Sequence, residues 1–381
     1  MKIAIVKRRY SLRHGGSERY CVNLTRRLQK LGHEVAVIGE NIDDDLQDEV
    51  RFIPIPVNNM TSWTRSRSFA VNCGLEAGKG NFDIVYGLGR AYGLDAVRVT
   101  ERLQSHWVKV YYRHPAHQLL QRLNPRHRTL INLERTIYRS KNVRRIVTQS
   151  QLDRKLIIEN YGIPEEKIRT IYNGVDTLQF HPGVRENAKQ VREELGIERD
   201  EPLLLFASMD FEGKGLRTIF QAMRNARNHE TRLLVLGDGP IRKFQSIARE
   251  LGIENRVIFA GRRDEIQNYY GAGDLFILPT AYEPFPNVNL EAMACGCPVI
   301  TTTTSGGADV IEEARNGYLI SGIDAVEEIT EILDHHLELP ISERNAMSEH
   351  CWNTAKEMTV EKNVASTLEM FEEVLLEKFR V

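Results

Sequence analysis

The sequence has no long apolar run. None of its stretches approaches the ~20 consecutive apolar residues that a membrane-spanning helix needs. Near the start, an apolar run over residues 3–6 ends at Lys7, which is too short for a secretory signal. These absences predict a cytoplasmic protein, and they restrict any membrane contact to a peripheral one at the inner face of the membrane.

Cysteine is scarce and unevenly spaced, with five residues in the chain. Cys295 and Cys297 are separated by a single glycine, which is too tight for one half of a zinc site, and no second pair lies nearby. We therefore expect reduced thiols that neither bind zinc nor pair as disulfides.

The chain as a whole also lacks an excess of charge, since its formal net charge is −1. Residues 101–155, however, carry 13 Lys/Arg against 3 Asp/Glu, a net of +10, and residues 322–381 carry 5 against 14, a net of −9. The basic stretch is interpreted either as a face for an anionic membrane or phosphorylated acceptor, or as solvated helix surfaces; no nucleic-acid partner is expected. Its basic residues include Arg102, Lys109, Arg113, Arg122, Arg126, Arg128, Arg135, Arg139, Lys141, Arg144 and Arg145.

Short apolar runs alternate with helical patterns in the first half of the chain. Residues 2–6 and 34–38 are typical of buried strands, and residues 17–31 between them show apolar side chains at helical spacing. A strand, a helix and a strand in about 40 residues form a βαβ unit, which predicts a parallel sheet. Further strands of that sheet are expected at residues 82–86 and 145–148.

The same pattern restarts beyond a turn-rich stretch at residues 173–182, interpreted as a linker. Strands are expected at 203–207, 232–236, 257–260, 275–279 and 298–301, and helices at 216–226, 241–251, 264–272 and 287–295. The predicted fold is therefore α/β, with two doubly wound Rossmann-like domains, residues 1–172 and 183–359, facing across a cleft. A C-terminal helix at about residues 360–381 is expected to pack back on the first domain.

Glycine turns follow the first strand of each predicted domain. Gly15-Gly16 opens a helix with Ser17 as its expected N-cap, so backbone N–H groups there either meet an anion or merely form a turn. In the second domain, Lys214 lies in a glycine turn that suits phosphate, or is a surface lysine. Residues 87–93 lack the spacing and the acidic residue of a dinucleotide fingerprint, which disfavours a nicotinamide enzyme.

The strongest local signal lies in residues 279–300. Glu283 falls in the loop after a predicted strand, and Glu291 falls in the first turns of a helix that Asn287 is expected to cap and Gly296 to end. The helix N-terminus suits a diphosphate, and two carboxylates beside it suit sugar or ribose hydroxyls. The alternative is that both acids only complement the helix dipole.

Residues 283–300 resemble the signature of retaining glycosyltransferase family 4, and shorter motifs agree with that family in their order. These motifs are Gly15-Gly16, Asn173-Gly174-Val175-Asp176, Lys214-Gly215 and Gly237-Asp238-Gly239-Pro240. The resemblance covers nearly the whole chain and implies the GT-B architecture, with an acceptor-side domain first and a donor-side domain second. It also implies sugar transfer from a nucleotide-sugar co-substrate with no metal ion and no cofactor.

By the same resemblance, Lys214 would bind the diphosphate, Glu283 the donor sugar and Glu291 the ribose. The family's arginine near the lysine is missing, because Met209 and Gly213 stand there, so Arg262 or Arg263 would have to supply that cation. The implied donor-binding residues are Gly15, Gly16, Lys214, Arg262, Glu283, Phe285, Pro286, Asn287, Val288 and Glu291.

Residues 94–101 and the His106-Trp107 pair resemble the lipopolysaccharide-core hexosyltransferases. Those enzymes carry Asp near the reacting acceptor, at the position where this chain has Glu101. Glu keeps the negative charge, and we expect the neighbouring Arg98 to hold it ionised. Alternatively, Glu101 is an exposed helix residue. The resemblance implies a UDP-linked hexose donor and a glycan or glycolipid acceptor. The implied catalytic residues are Glu101, Lys214 and Glu283, with His14 and His106 as acceptor-side candidates.

Two other classes of function stay open. The missing arginine and the change at Glu101 also suit a non-catalytic module that binds nucleotide sugars. The architecture alone also suits an epimerase or a phosphorylase. Donor binding without any product would favour the module, whereas phosphate-dependent cleavage of a glycoside would favour the phosphorylase.

Overall fold

The computed structural model of the chain describes residues 1–112, 114–199 and 201–379, without the side chain of residue 122. Two members of the basic stretch, Arg113 and the Arg122 side chain, lie outside the described residues, as do the last two positions of the expected C-terminal helix. The chain divides into two compact units. Unit 1 comprises Met1–Tyr172 with Glu361–Val381, and unit 2 comprises Asn173–Val360.

Unit 1 is built on a parallel sheet, as the βαβ pattern predicts. Its strands are β1 (Lys2–Val6), β2 (Arg9–Tyr10), β3 (Glu34–Gly39), β4 (Asn41–Ile42), β5 (Arg51–Pro54), β6 (Ile84–Gly87), β7 (Ala96–Arg98), β8 (Arg145–Thr148) and β9 (Ile168–Thr170). The sheet order is β5-β3-β1-β6-β7-β8-β9, while β2 and β4 pair with each other. Consecutive apolar residues fill β1 and β6 because helices cover both faces of the sheet.

The helices of the first part of unit 1 are α1 (Gly16–Lys30), α2 (Ser62–Lys79), α3 (Gln104–Tyr111), α4 (Pro115–Leu123), α5 (Pro125–Arg139) and α6 (Gln151–Tyr161). Helix α1 buries Cys21, Leu24 and Leu28, which recur at helical spacing. The expectation that Ser17 caps this helix is wrong. Gly15 occupies the N-cap position, and no side chain caps the helix because Ser17 already lies within its first turn.

Unit 2 repeats the architecture with six strands among the described residues. They are β10 (Leu203–Ala207), β11 (Arg232–Leu236), β12 (Val257–Gly261), β13 (Leu275–Leu278), β14 (Val299–Thr302) and β15 (Gly317–Ile320), in the parallel order β12-β11-β10-β13-β14-β15. The helices are α7 (Ala188–Leu195), α8 (Leu216–Asn225), α9 (Ile241–Glu250), α10 (Ile266–Ala272), α11 (Asn287–Ala294), α12 (Val326–Glu338) and α13 (Ile341–Ala355). Short 3₁₀ helices occupy Asp44–Leu46 and Glu165–Lys167 in unit 1, and Pro182–Asn187, Glu254–Arg256 and Gly306–Val310 in unit 2.

Both sheets reverse their strand order next to their first strand. In unit 1 the reversal lies between β1 and β6, and in unit 2 between β10 and β13. Loops that leave the carboxyl ends of two such neighbouring strands diverge to opposite faces of the sheet and leave a crevice, where ligands of open α/β sheets bind. The strand order therefore locates a candidate site in each unit.

The C-terminal helix, α14 (Val360–Phe379), belongs with unit 1 from Glu361 onward. Phe371 packs edge-to-face on Tyr86 of β6, with ring centroids 5.0 Å apart. Acidic residues on the same helix pair with basic residues of the sheet, and the ion pairs are Arg169 with Glu369 and Glu373, Arg145 with Glu373 and Glu377, and Lys378 with Asp95.

All five cysteines are buried and free, so the expectation of unpaired thiols is confirmed. Within the described ranges, no helix combines the length and the apolar character needed to cross a bilayer.

Candidate functional site

Lys214 and Glu283 meet at the strand reversal of unit 2. Lys214 lies in the loop after β10 and Glu283 in the loop after the neighbouring strand β13, so two residues far apart in sequence share one edge of the sheet. The Lys214 Nζ atom is 2.5 Å from Oε2 of Glu283, and the two side chains are only 11% and 26% exposed. A cation and an acid are thus held together in a partly desolvated position.

The turn around Lys214 explains why glycines flank it. The Lys214 N–H donates to the carbonyl of Asp210 at 3.1 Å, and the Gly213 N–H donates to Asp210 Oδ1 at 2.9 Å. Gly215 adopts φ +72°, and a Cβ there would lie 2.5 Å from the carbonyl oxygen of Pro279. Only glycine allows this close approach, which carries the lysine to the end of β13.

Glu283 is positioned by its backbone. It forms an isolated bridge with Ser305, and its carbonyl accepts from the Gly306 N–H at 2.9 Å. The loop after β14 thus supports the loop after β13, an arrangement that the sequence analysis missed. The available signal was the Gly306-Gly307 pair in the loop after a predicted strand.

Helix α11 begins beside Glu283, but the expectation that Asn287 caps it is wrong. Pro286 holds the N-cap position and no side chain caps the helix. The Asn287 side chain instead accepts a hydrogen bond from Asn173 Nδ2 at 2.5 Å, which ties the Asn-Gly-Val-Asp segment to the start of the helix. Gly296, at φ +75°, follows the last turn as predicted.

Glu291 lies about one turn along α11 and is half-buried. The Tyr270 hydroxyl donates to its Oε2 at 3.3 Å. Burial, reinforced by the charge of Glu291, raises the pKa of Tyr270 well above its ordinary value, so the phenol stays protonated and can donate. The remaining predicted donor-binding residues of this segment lie at the start of α11. Phe285 and Pro286 are buried ahead of the helix, and Val288 is half-buried in its first turn.

The two arginines considered for the missing cation differ in their surroundings. Arg263 forms an ion pair with Glu194 at 3.6 Å, and its guanidinium lies 5.7 Å from the ring centroid of Tyr269. Arg262 is exposed directly after β12, whose end is two strands away from that of β10. Met209, at the family's arginine position, is 61% exposed.

In unit 1, a buried lysine contacts the start of helix α1, and the sequence analysis missed it. Lys7 follows β1, and its Nζ donates to Ser17 Oγ at 2.8 Å and lies 3.6 Å from Glu18. The side chain of Lys7 is 4% exposed. The Gly15-Gly16 turn is therefore bordered by a cation and an acid that already pair with each other.

His14 is exposed beside that turn and lies at the end of a short hydrogen-bonded chain. Its Nδ1 is 2.8 Å from Ser11 Oγ, which donates to Asp43 Oδ2 at 2.6 Å. His106 lies on α3 and is half-buried. Burial, with the nearby charge of Lys109, lowers the pKa of His106 below its ordinary value.

Glu101 follows β7 in a loop, and α3 starts only at Gln104, so the alternative of an exposed helix residue is excluded. The expectation that Arg98 holds it ionised is wrong. Arg98 is buried, donates to the carbonyl of Ile171 at 2.9 Å and stacks on the ring of Tyr20. The ion-pair partner of Glu101 is Arg90, because the loop after β6 turns back toward it.

Glu101 is half-exposed and borders a small pocket that Gly89, Thr100 and Tyr138 also line. Partial burial of the carboxylate raises its pKa, but the charges of Arg90, Lys7 and Arg8 outweigh that effect, and the pKa of Glu101 lies below its ordinary value. Glu101 is therefore an ionised carboxylate at neutral pH.

The basic stretch divides into paired and exposed residues. Arg139 donates to the carbonyl of Tyr161, and Arg144 and Arg145 pair with Asp95 and Glu377. By contrast, α4 exposes three large apolar side chains, Leu119, Leu120 and Leu123, at 64%, 61% and 66%. Its neighbours Lys109, Arg126 and Arg128 are also exposed.

Across the described residues, no group of three or more His, Cys, Asp or Glu side chains is arranged to hold a metal ion. The cationic side chains at the candidate sites are Lys214 in unit 2 and Lys7 and Arg90 in unit 1.

The class of the protein follows from comparing its two Rossmann-like units with known protein families. Residues 14–179 match the family model described as Glycosyltransferase Family 4, and residues 187–353 match the model described as Glycosyl transferases group 1. The matches follow one another and together span most of the chain. The chain therefore belongs to these glycosyltransferases.

Individual relatives agree with this assignment. The lipopolysaccharide glucosyltransferase WaaG of Escherichia coli (strain K12) is 25% identical over 84% of this chain and 85% of its own. The lipopolysaccharide core biosynthesis glycosyltransferase LpsE of Rhizobium meliloti (strain 1021) is 32% identical, but the alignment spans 46% of its length. Glycosyltransferase MJ1607 of Methanocaldococcus jannaschii likewise matches over 46% of its length, at 29% identity.

Solved structures show the same fold. The crystal structure of WaaG matches with a TM-score of 0.84 at 24% identity, covering 97% of this chain and 99% of that one. Anabaena Alr3699/HepE in complex with UDP-glucose matches with a TM-score of 0.74 at 18% identity, covering 97% and 100%. The chain therefore has the GT-B fold, as the resemblance predicts.

Proposed function

We propose that the protein is a retaining hexosyltransferase that moves a hexose from a UDP-sugar to a glycan or glycolipid acceptor in lipopolysaccharide core or cell-surface polysaccharide synthesis. The observation that carries this proposal is the contact of Lys214 with Glu283 at the strand reversal of unit 2, next to the N-terminus of α11. Unit 2 is accordingly proposed as the donor side and unit 1 as the acceptor side.

The chemistry follows from the charges at that position. When the bond between the sugar and the nucleotide breaks, negative charge develops on the leaving diphosphate. Lys214 and the free N–H groups of α11 stabilise that charge, so the proposed reaction needs no metal ion and no cofactor. Glu283 accepts hydrogen bonds from donor-sugar hydroxyls, and Glu291 accepts them from the ribose.

Gly15 and Gly16 of unit 1 are also proposed as donor-binding residues, because glycines let the backbone approach an anionic ligand closely. Retention of the anomeric configuration is explained by attack from the face that the diphosphate leaves. In that reaction the leaving phosphate takes the proton of the acceptor hydroxyl, so the bond from the hydroxyl oxygen to the anomeric carbon forms as the bond to the phosphate breaks.

The choice of a UDP-hexose is supported by relatives of the same fold. WaaG is named a lipopolysaccharide glucosyltransferase, and HepE has been solved with UDP-glucose. On the acceptor side, the ionised Glu101 carboxylate is proposed to accept hydrogen bonds from acceptor hydroxyls. His14 and His106 are proposed to bind the acceptor as well.

Arg262 is proposed as the substitute for the missing arginine. Arg262→Gln should weaken catalysis because a second cation at the diphosphate is lost. Arg263→Gln is the matched control, since it removes the same charge from the adjacent position. Equal effects of the two substitutions on kcat/KM would count against Arg262.

A peripheral membrane contact is proposed through α4. Its exposed leucines can enter the boundary between headgroups and acyl chains, while Lys109, Arg126 and Arg128 attract anionic lipid. Sedimentation with vesicles of anionic lipid should fall when Leu119, Leu120 and Leu123 are changed together to Ser. Unchanged sedimentation would remove the contact from the proposal.

The central experiment is a panel of UDP- and GDP-hexoses with lipopolysaccharide-core acceptors, scored for transfer, donor hydrolysis and product configuration. A product of retained configuration with one UDP-sugar is the expected result, and its formation should persist in the presence of EDTA. Donor binding by calorimetry with no product would support a non-catalytic binding module. Cleavage of a glycoside that requires free phosphate would support a phosphorylase instead.

A further inference from the structure

Glu101 is attached to a buried network that the proposed function does not use. Arg90, in the loop after β6, contacts Glu101 through Nη1. Its Nε and Nη2 donate to Oε1 of Glu134 at 2.9 and 2.6 Å, and Nη2 also donates to the carbonyl of Arg102 at 2.8 Å. One guanidinium thus links a half-exposed acid to a fully buried one.

Glu134, on α5, is a rigid anchor for that guanidinium. Its side chain is 0% exposed. The Gln104 N–H donates to its two oxygens at 2.9 and 3.1 Å, and the Tyr161 hydroxyl donates to Oε2. Because both oxygens accept from groups on other elements, the carboxylate cannot move without breaking several hydrogen bonds.

The glycine-rich segment at residues 87–93 brings Arg90 to this position. The Thr100 hydroxyl donates to the carbonyl of Leu88 at 2.9 Å, which joins the loops after β6 and β7. Gly93 adopts φ +72°, and a Cβ there would lie 2.9 Å from the Cα of Gly74 on α2. The segment that does not fit a dinucleotide site is therefore a support for one arginine.

We propose that Arg90 is the positioning residue for Glu101, and that the Arg90–Glu134 pair holds the Glu101 carboxylate in the orientation and charge state that the acceptor hydroxyl requires. This inference rests on the role proposed for Glu101. Arg90 itself acts only through that carboxylate, whereas Glu134 acts through Arg90.

The charged and titratable groups around Glu101 come from several elements. Lys7 and Arg8 follow β1, Arg90 follows β6, and Glu134 and Tyr138 lie on α5. Arg90 contributes the largest of the attractions that lower the pKa of Glu101. Its removal should therefore raise that pKa, so less of the carboxylate is ionised at a given pH and the acid limb of the rate profile moves to higher pH.

The test is the double variant Arg90→Gln/Glu134→Gln. Arg90→Gln alone leaves a buried carboxylate without its cation, which can prevent folding, whereas the double variant removes both charges. We expect kcat/KM for transfer to fall by roughly 10- to 100-fold and the acid limb to rise by about one pH unit. Arg135→Gln, which removes one positive charge at an exposed position of α5, should leave both quantities unchanged.

Arg90→Lys separates charge from geometry. Lysine keeps the cation but cannot reproduce the planar fork that serves two carboxylates at once. We expect its acid limb to stay near that of the wild type while kcat falls. An acid limb of the rate profile that lies at the wild-type pH in Arg90→Lys, and that is absent from Glu101→Gln, would show that the limb reports the ionisation of Glu101 and that Arg90 controls it.

An acid limb that stays in place in the folded double variant overturns the inference, even when transfer is slower. Failure of the proposed function has a different signature, because the wild type would then transfer no sugar at all. If the wild type transfers no sugar, the inference is tested by a measurement that needs no turnover. The carboxyl ¹³C resonance missing from Glu101→Gln identifies Glu101, and its titration midpoint should rise in the double variant, whereas an unmoved midpoint rejects the inference.

Discussion

The two units of this protein build their candidate sites in different ways. In unit 2, a short loop and one continuous segment bring together Lys214, Glu283 and α11, and the first two are in direct contact. In unit 1, Glu101 depends on Arg90, 11 positions away, and through it on Glu134, 44 positions from Arg90. The first site is visible as motifs, whereas the second depends on tertiary contacts.

The difference shows what each kind of site requires. Close binding of a diphosphate needs glycines and a helix N-terminus at set spacings, and these constrain neighbouring residues in the chain. A positioned carboxylate needs only a partner in space, which any nearby element can supply. Sites of the second kind therefore leave little local pattern in a sequence.

The sharpest way to break the comparison is Lys214→Ala. If Lys214 stabilises the leaving group, kcat should fall by roughly 10²- to 10³-fold, because a preorganised cation acts most strongly in the transition state. Lys189→Ala is the control, since that lysine is 86% exposed on α7. Steady-state kinetics of the variant, checked for folding by circular dichroism, decides the matter, and full activity would reduce the Lys214–Glu283 contact to a structural ion pair.

The core of unit 2 holds a buried histidine, His336, that should make the free energy of unfolding depend on pH. His336 is 1% exposed, and burial lowers its pKa to about 4. Below the ordinary histidine pKa, the unfolded chain binds a proton that the folded chain does not, so the free energy of unfolding falls as pH decreases toward 4. The loss should reach about 2 kcal/mol at about pH 5 relative to neutral pH.

Urea unfolding at the two pH values measures this loss. His336→Gln should remove it, whereas His335→Gln, a change at the exposed neighbour on α12, should retain it. An equal loss in both variants would contradict the assignment to His336.

Glu291→Gln sharpens the account of unit 2. A carboxylate that accepts hydrogen bonds from ribose hydroxyls contributes similarly in the ground state and the transition state, so its loss should raise the donor KM about tenfold with little change in kcat. Glu254→Gln, at an exposed position of the same unit, is the control. A fall in kcat at unchanged KM would place Glu291 nearer the chemistry than proposed.

The smallest effect is expected from Glu373→Gln in unit 1. Glu373 pairs with both Arg145 and Arg169 but is 40% exposed, so the free energy of unfolding should fall by less than about 1 kcal/mol. The difference should shrink further in about 1 M salt because solvent ions screen exposed pairs. Glu372→Gln, one position away and exposed, should have no such salt-dependent effect.

Most of the regular elements could be predicted from periodicity. The strands at residues 2–6, 145–148, 203–207 and 232–236 have the predicted bounds, because consecutive apolar residues in a covered parallel sheet end where charge resumes. The elements without a prediction are β2, β4, β5, β7, β9, β15, helices α2 to α7 and helix α13. Strand β7 has three residues and helix α13 has no strong apolar stripe, so neither leaves a periodic signal.

The predictions about the candidate sites were likewise right in some parts and wrong in others. The sequence placed Lys214 and Glu283 each in a loop after a predicted strand, and the structure shows that these strands are neighbours and that the two side chains are in contact. The roles of these residues, and those of Glu291, Arg262 and Glu101, remain proposals. Two helix caps, Ser17 and Asn287, were wrong by one or two positions, because the chain entered each helix earlier than the side-chain preference indicated. The prediction that Arg98 holds Glu101 ionised was wrong, because closeness in sequence does not determine which way a side chain points at the end of a strand.

The sequence by itself determined the alternation of strands and helices, the two Rossmann-like units and the glycine turns, since each depends on residues that are neighbours in the chain. Only the tertiary structure decided that Arg90, rather than Arg98, pairs with Glu101, that Glu134 anchors Arg90, and that Lys7 borders the first glycine turn. These contacts join side chains from different elements. Which of many buried charges meet depends on how the elements pack, and a one-dimensional pattern does not record that.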